Sequence, residues 1–231
     1  MPYRRLPNTD AARIKALRTA IDKASEINFN DLPISTKLLA SAKDALKQFE
    51  TLCLRYRQKS EIQIKANKSF IVKAKNARMY ISHFMQVFYM SVTRSEIKVD
   101  QLKHYGLEDA NMVVPDLTSN DQLLEWGRKI IDGENIRIAN GGVPIYNPSI
   151  AKVNVMYSIF KDGYQTQKMH QKGTTRVMEE VAAYRKIVDK IILEIWDQVE
   201  KNSEYMSSEM RIRRNREFGI IYYYRKGEVA E

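Results

Sequence analysis

The sequence predicts an all-α fold: an elongated antiparallel helical hairpin or coiled-coil bundle, with small capping helices and a short C-terminal strand. Three observations carry this expectation. Glycine (9) and proline (6) are too scarce in 231 residues for the many turns of an all-β fold. Residues 34 to 105 contain neither. Two long segments, about 35–95 and 149–203, keep apolar residues at alternating spacings of three and four, the seam pattern of packed helices. The chain reads as a single domain over residues 1–231. Residues 98–147 cap one end of the hairpin, and residues 8–28 and 205–231 form the other.

Residues 1 to 7 form an extended lead. Asn8, Thr9 and Asp10 then offer side-chain oxygens to the free N–H groups of a helix start. Ile14, Leu17, Ile21 and Ala24 give that helix one apolar stripe, and it should end near Ile27, where "NFNDLP" breaks it. Ser35 or Thr36 caps the first long helix. Its seam reads Leu39, Ala42, Leu46, Phe49, Cys53, Tyr56, then Ser60, Gln63, Asn67, then Phe70, Ala74, Ala77, Ile81, Phe84, Phe88. The register persists across a polar middle. At 1.5 Å per residue, a helix of about 60 residues would be about 90 Å long.

The second long helix starts after Pro148 and Ser149. Its seam reads Ile150, Val153, Tyr157, Phe160, Tyr164, then Gln167, Gln171, Thr174, then Met178, Val181, Arg185, Val188, Ile192, Ile195, Val199. Gly163 and Gly173 weaken it by about 1 kcal/mol each relative to Ala, yet the register does not slip at either. Laid antiparallel with Leu39 near Val199, Phe88 falls near Ile150 and Gln63 near Thr174 or Thr175. The two polar centres then coincide. Leu46, Phe49, Phe70, Ile81, Phe84, Tyr157, Val188 and Ile195 are the residues expected to hold the hairpin.

Between the long helices, "TSNDQLLEWGRKIIDGE" reads as a capped amphipathic helix with Leu123, Leu124, Ile130 and Ile131 on its apolar side. "NIRIANGGVPIYNP" follows as a loop or small hairpin. At the C-terminus, "SSEMRIRRNREF" reads as a short basic helix. "GIIYYYRKGE" reads as a strand with no obvious partner.

Few residue patterns carry chemistry. His83, in "ISHFMQVFYMSVTRSEI", lies off the 81-84-88 seam. Met79, Tyr80, Gln86 and Val87 at helical spacing supply no metal ligand, so His83 reads as a surface or structural residue. His104 and His170 stand apart from other ligand-type residues in sequence. Cys53, the single cysteine, excludes an intrachain disulfide and reads as a packed thiol. Trp126 and Trp196 sit on amphipathic patterns and should be packed. "ANGGVP" lacks the Lys-Ser/Thr of a phosphate loop. An enzyme would have to draw on Glu125, Asp132 or Glu134. No catalytic, metal or cofactor-binding residue is assigned, and no cofactor is expected.

Charge is the one signal above background. The net charge is +10. Arg55, Arg57, Lys59, Lys65, Lys68, Lys73, Lys75 and Arg78 face one acid, Glu61, in the same run. Arg211, Arg213, Arg214 and Arg216 form a second cluster. These twelve are the candidate polyanion contacts, with nucleic acid the partner class they suit. The alternative is a solvated helical face. No stretch reads as a signal peptide or a membrane span, so a cytoplasmic protein is expected.

"YRRLPNTDAARIKAL", "ISHFMQVFYMSVTRSEI", "LLEWGRKIIDGE" and "REFGIIYYYRKGE" together resemble an uncharacterised helical family of Bacteroidetes-type bacteria, over most of the chain. The resemblance implies a bacterial protein and brings no activity, cofactor or catalytic residue with it. The function expected is a non-catalytic structural or protein-interaction module. Two helices alone bury little, so it should self-associate as a homodimer. Nucleic acid is the alternative partner, and no membrane contact is expected.

Overall fold

The computed structural model describes residues 3–224. Strand β1 (Tyr3–Arg4) leads into α1 (Asp10–Ser25). Thr9 caps α1, its hydroxyl accepting from the Ala12 N–H at 3.2 Å. A 3-10 turn at Phe29–Asp31 breaks the chain where "NFNDLP" predicted a break. Helix α2 (Thr36–Thr93) and helix α4 (Ile150–Asn202) are the two long helices, each continuous. A 3-10 helix (Val99–Tyr105) and α3 (Asn120–Ala139) lie between them, and α5 (Ser208–Glu217) and β2 (Tyr222–Tyr223) follow. Among the described residues no helix is long and apolar enough to cross a membrane.

The chain divides into two compact units, both built on α2 and α4. One comprises Met1–Ser60 with Gly173–Glu231, and the other Glu61–Lys172. In the first, Ala16, Leu17, Ala20 and Ala24 of α1 pack with Leu38, Ala42 and Phe49 of α2. Val181, Val188, Ile192, Ile195, Trp196 and Val199 of α4 complete this core, joined by Phe218 and Ile220. In the second, Phe70, Ala74, Ala77, Ile81, Phe84, Met85 and Phe88 of α2 meet Val153, Phe160 and Tyr164 of α4. Leu123, Ile130 and Ile131 of α3 and Leu102, Tyr105 and Leu107 close over them. The apolar seam residues named from the sequence are buried or half-buried except Met178, which is 46% exposed beside a buried Val177; in the polar middle Asn67 and Gln171 are exposed as well.

The two long helices pair antiparallel with a register about one turn from the one expected. In the first unit the Ser35 N–H donates to Gln198 at 2.7 Å, and Phe49 stacks on Tyr184 with centroids 6.1 Å apart. The Thr174 hydroxyl donates to the Lys59 carbonyl at 3.4 Å. In the second unit Phe70 stacks on both Phe160 and Tyr164, at 5.8 and 5.9 Å. A 3-4 repeat looks the same after a shift of one turn. The ring stacks and end contacts choose between such registers.

Two expectations are corrected. The strand near the C-terminus has a partner: β2 pairs antiparallel with β1, Tyr3 opposite Tyr223 and Arg4 opposite Tyr222. The extended lead was that partner, hidden because two residues give no alternation to read. The rest of the predicted strand, residues 225–228, lies outside the described residues. The second correction concerns α3. It carries a full capping box between Ser119 and Gln122, and it runs on through "NIRIA" to Ala139, where a loop or hairpin was expected. Arg137 keeps the helix going because it meets Glu134 one turn back, inside the core.

Candidate functional site

Two features of the second unit stand out: a polar cluster under a cleft, and an apolar face on α2. The cluster is built by α3. Glu134 is 0% and Arg137 3% exposed. Arg137 donates from Nε to Glu134 Oε2 and from Nη2 to Oε1, both at 2.8 Å. Its Nη2 also donates to the Val143 carbonyl at 2.8 Å, and its Nε to the Tyr105 hydroxyl at 3.0 Å. Tyr105 donates to Glu134 Oε2 at 2.5 Å, and the Ile145 N–H donates to Oε1 at 3.3 Å. Burial, and then the carboxylate beside it, push the Tyr105 phenol far above its ordinary value. The phenol therefore serves as a fixed donor.

Arg137 of this cluster lines a cleft of about 810 Å³. Val87, Ser91, Glu96, Ile97, Lys98 and Gln101 line it together with Arg137 and the loop 140–147. Gly142 sets the fit between loop and guanidinium. A Cβ there would stand 2.7 Å from Arg137 Nη1 and 2.8 Å from the Arg137 carbonyl. Of the acids named for an enzyme reading, Glu134 is committed to Arg137, while Glu125 and Asp132 pair on the surface with Lys129 and Arg128. No group of three or more metal-ligating side chains gathers among the described residues. His83 is exposed, as its place off the seam implied. Cys53 is half-buried, and burial pushes its thiol up. Trp196 is fully buried, and Trp126 is half-buried with Lys129 4.5 Å above its ring.

On α2, Ile64, Ile71, Val72 and Met79 are 54, 57, 58 and 55% exposed. At roughly 100° per residue they share one face with Lys68 and Lys75, opposite Phe70, Ala74, Ala77 and Ile81. Their order is symmetric. Ile64, Lys68 and Ile71 are mirrored in spacing by Met79, Lys75 and Val72. The 3-4 period of the buried seam does not display this face, because its apolar residues lie on the opposite side of the helix.

The twelve basic candidates do not form one surface. Arg55 pairs with Glu180 at 3.0 Å. Arg78 donates to the Leu117 and Thr118 carbonyls at 2.7 and 2.9 Å and so holds the loop before α3. Lys73 lies against Gly163. Arg57, Lys59, Lys65, Lys68 and Lys75 are exposed; Lys65, Lys68 and Lys75 lie within about 80° of one another around α2, while Lys59 lies on another side. On α5, Arg214 donates to Asn202 and Tyr205 at 3.1 and 3.3 Å. Arg211 lines a cleft that also holds Glu200 and Glu204, and Arg213 and Arg216 are exposed.

Comparison of the chain with protein-family models, with curated proteins and with solved structures finds no match in any of the three.

Proposed function

We propose that the protein is a non-catalytic protein-interaction module that self-associates through the outer face of α2. The mirrored order of Ile64, Lys68, Ile71, Val72, Lys75 and Met79 carries this reading. A second copy docked antiparallel would set Ile64 against Met79 and Ile71 against Val72, which is the self-complementarity a two-fold interface requires. The same docking would set Lys68 against Lys75, so association is opposed by like charge and eased by salt. A polyanion partner is the weaker reading, because Arg55, Arg78 and Arg214 are committed to groups of this chain, and Lys68 and Lys75 share their face with the exposed Ile64, Ile71, Val72 and Met79.

The test is mass by light scattering. The expected result is a mass above the 26.9 kDa of one chain, with the double variant Ile71→Gln, Val72→Gln held at one chain. Both positions are exposed and helical, so the variant should keep its fold and its helical circular dichroism. A single-chain mass for the unaltered protein at every concentration and salt would end the proposal.

A further inference from the structure

The cleft above Arg137 has the makings of a ligand site that the interaction reading does not use. Arg137 spends Nε and Nη2 on Glu134, Tyr105 and Val143. Its Nη1 donates to no group among the described residues. Yet no side-chain nitrogen or oxygen among them is both buried and without a partner. Nη1 is therefore the part of this guanidinium that stays open, and the cleft is the cavity Arg137 lines. Gly142 supports this from the other side. Its φ is not in the left-handed range, so the backbone does not demand glycine there. What it provides is space, since any Cβ would stand 2.7 Å from Nη1.

We propose that this cleft binds an organic carboxylate with an apolar body, the carboxylate accepting from Arg137 Nη1 and the body lying on Val87, Ile97, Val143 and Ile145. A guanidinium held rigidly by three other partners presents its last N–H pair without further ordering, and such charge-assisted bonds to a carboxylate are strong. The cleft volume of about 810 Å³ is within the range of small-molecule sites. The charges around the cleft cancel, which opposes a phosphate dianion more than a monoanion. Arg137 and Lys98 are offset by Glu134 behind the guanidinium and by Glu96 on the wall. Val87, Ile97, Val143 and Ile145 give the cleft an apolar part beside its polar residues, which an apolar body can cover.

The experiment titrates the full chain with octanoate and with octanamide, following backbone amides by NMR. Octanoate should shift the amides of residues 87–101 and 140–147 saturably below about 10 mM, and octanamide should bind at least about ten-fold more weakly. Val143→Trp, at a position 70% exposed on the rim, should weaken octanoate binding without unfolding the chain. Absence of saturable shifts, shifts centred elsewhere, equal binding of the amide, or an unaffected Val143→Trp variant would each overturn the proposal.

Discussion

Glu134 and Arg137 lie one helical turn apart on α3, both inside the core, with every carboxylate oxygen accepting and the guanidinium tied to three partners. Removing one charge would strand the other, at about 3–5 kcal/mol. Arg137→Met should therefore lower stability in urea denaturation by that order. Adding Glu134→Leu to it should recover part of the loss, since an apolar pair strands no charge. Asp10 makes a different kind of pair. It accepts from Arg185 Nε at 2.7 Å and Nη2 at 2.8 Å, and these bonds hold its carboxyl below the ordinary carboxylate value. A depressed folded value means that the stability it contributes is present above the unfolded value of about 4. That stability is lost as pH falls through the lower folded value. Against Asp10→Asn, the unaltered chain should be the more stable at pH 7, by up to about 1 kcal/mol for so exposed a pair. The difference should shrink in melts run at pH values falling through that lower folded value. Sequence shows that Glu134 and Arg137 are spaced for a helix, but not that they are buried, because burial depends on the 3-10 helix and the loop 140–147 closing over them.

At the scale of the elements, the two glycines of α4 do different things. At Gly163 a Cβ would stand 3.1 Å from Lys73 and 3.3 Å from Phe70, so the residue lets α4 approach α2. At Gly173 nothing lies within 4 Å. Gly173→Ala should therefore stabilise the protein by about 0.5–1 kcal/mol, read as a higher melting temperature, because only the helix-propensity difference remains. Gly127 of α3 should respond in the opposite sense. A Cβ there would lie 2.4 Å from the Tyr157 ring and 2.9 Å from Ile81, so Gly127→Ala should cost about 1–3 kcal/mol in the same melt. The long helices, their continuity through both glycines and the capping box of α3 were all legible, since each is a local matter of spacing and end chemistry. The register between α2 and α4 was not, and neither was β1. The first is degenerate under a shift of one turn, and the second is too short to alternate.

For the whole molecule the governing quantity is charge. A chain of net charge +10 repels its own copies, and the face proposed for self-association places Lys68 near Lys75 of the other copy. Raising salt from ~0.05 to ~0.5 M shortens the screening length from about 14 Å to about 4 Å. Mass by light scattering should therefore increase over that range, opposite to the weakening that salt causes in polyanion binding. The sequence by itself determined that the chain is helical, where its long helices begin and end, and that they pair antiparallel. Those properties follow from local propensity and from the period of apolar residues along one chain. Only the tertiary structure decided which polar residues are buried, which cations are committed to carbonyls and carboxylates, and which loop closes over Arg137. These outcomes depend on contacts between segments far apart in sequence, and no periodicity within either segment encodes them.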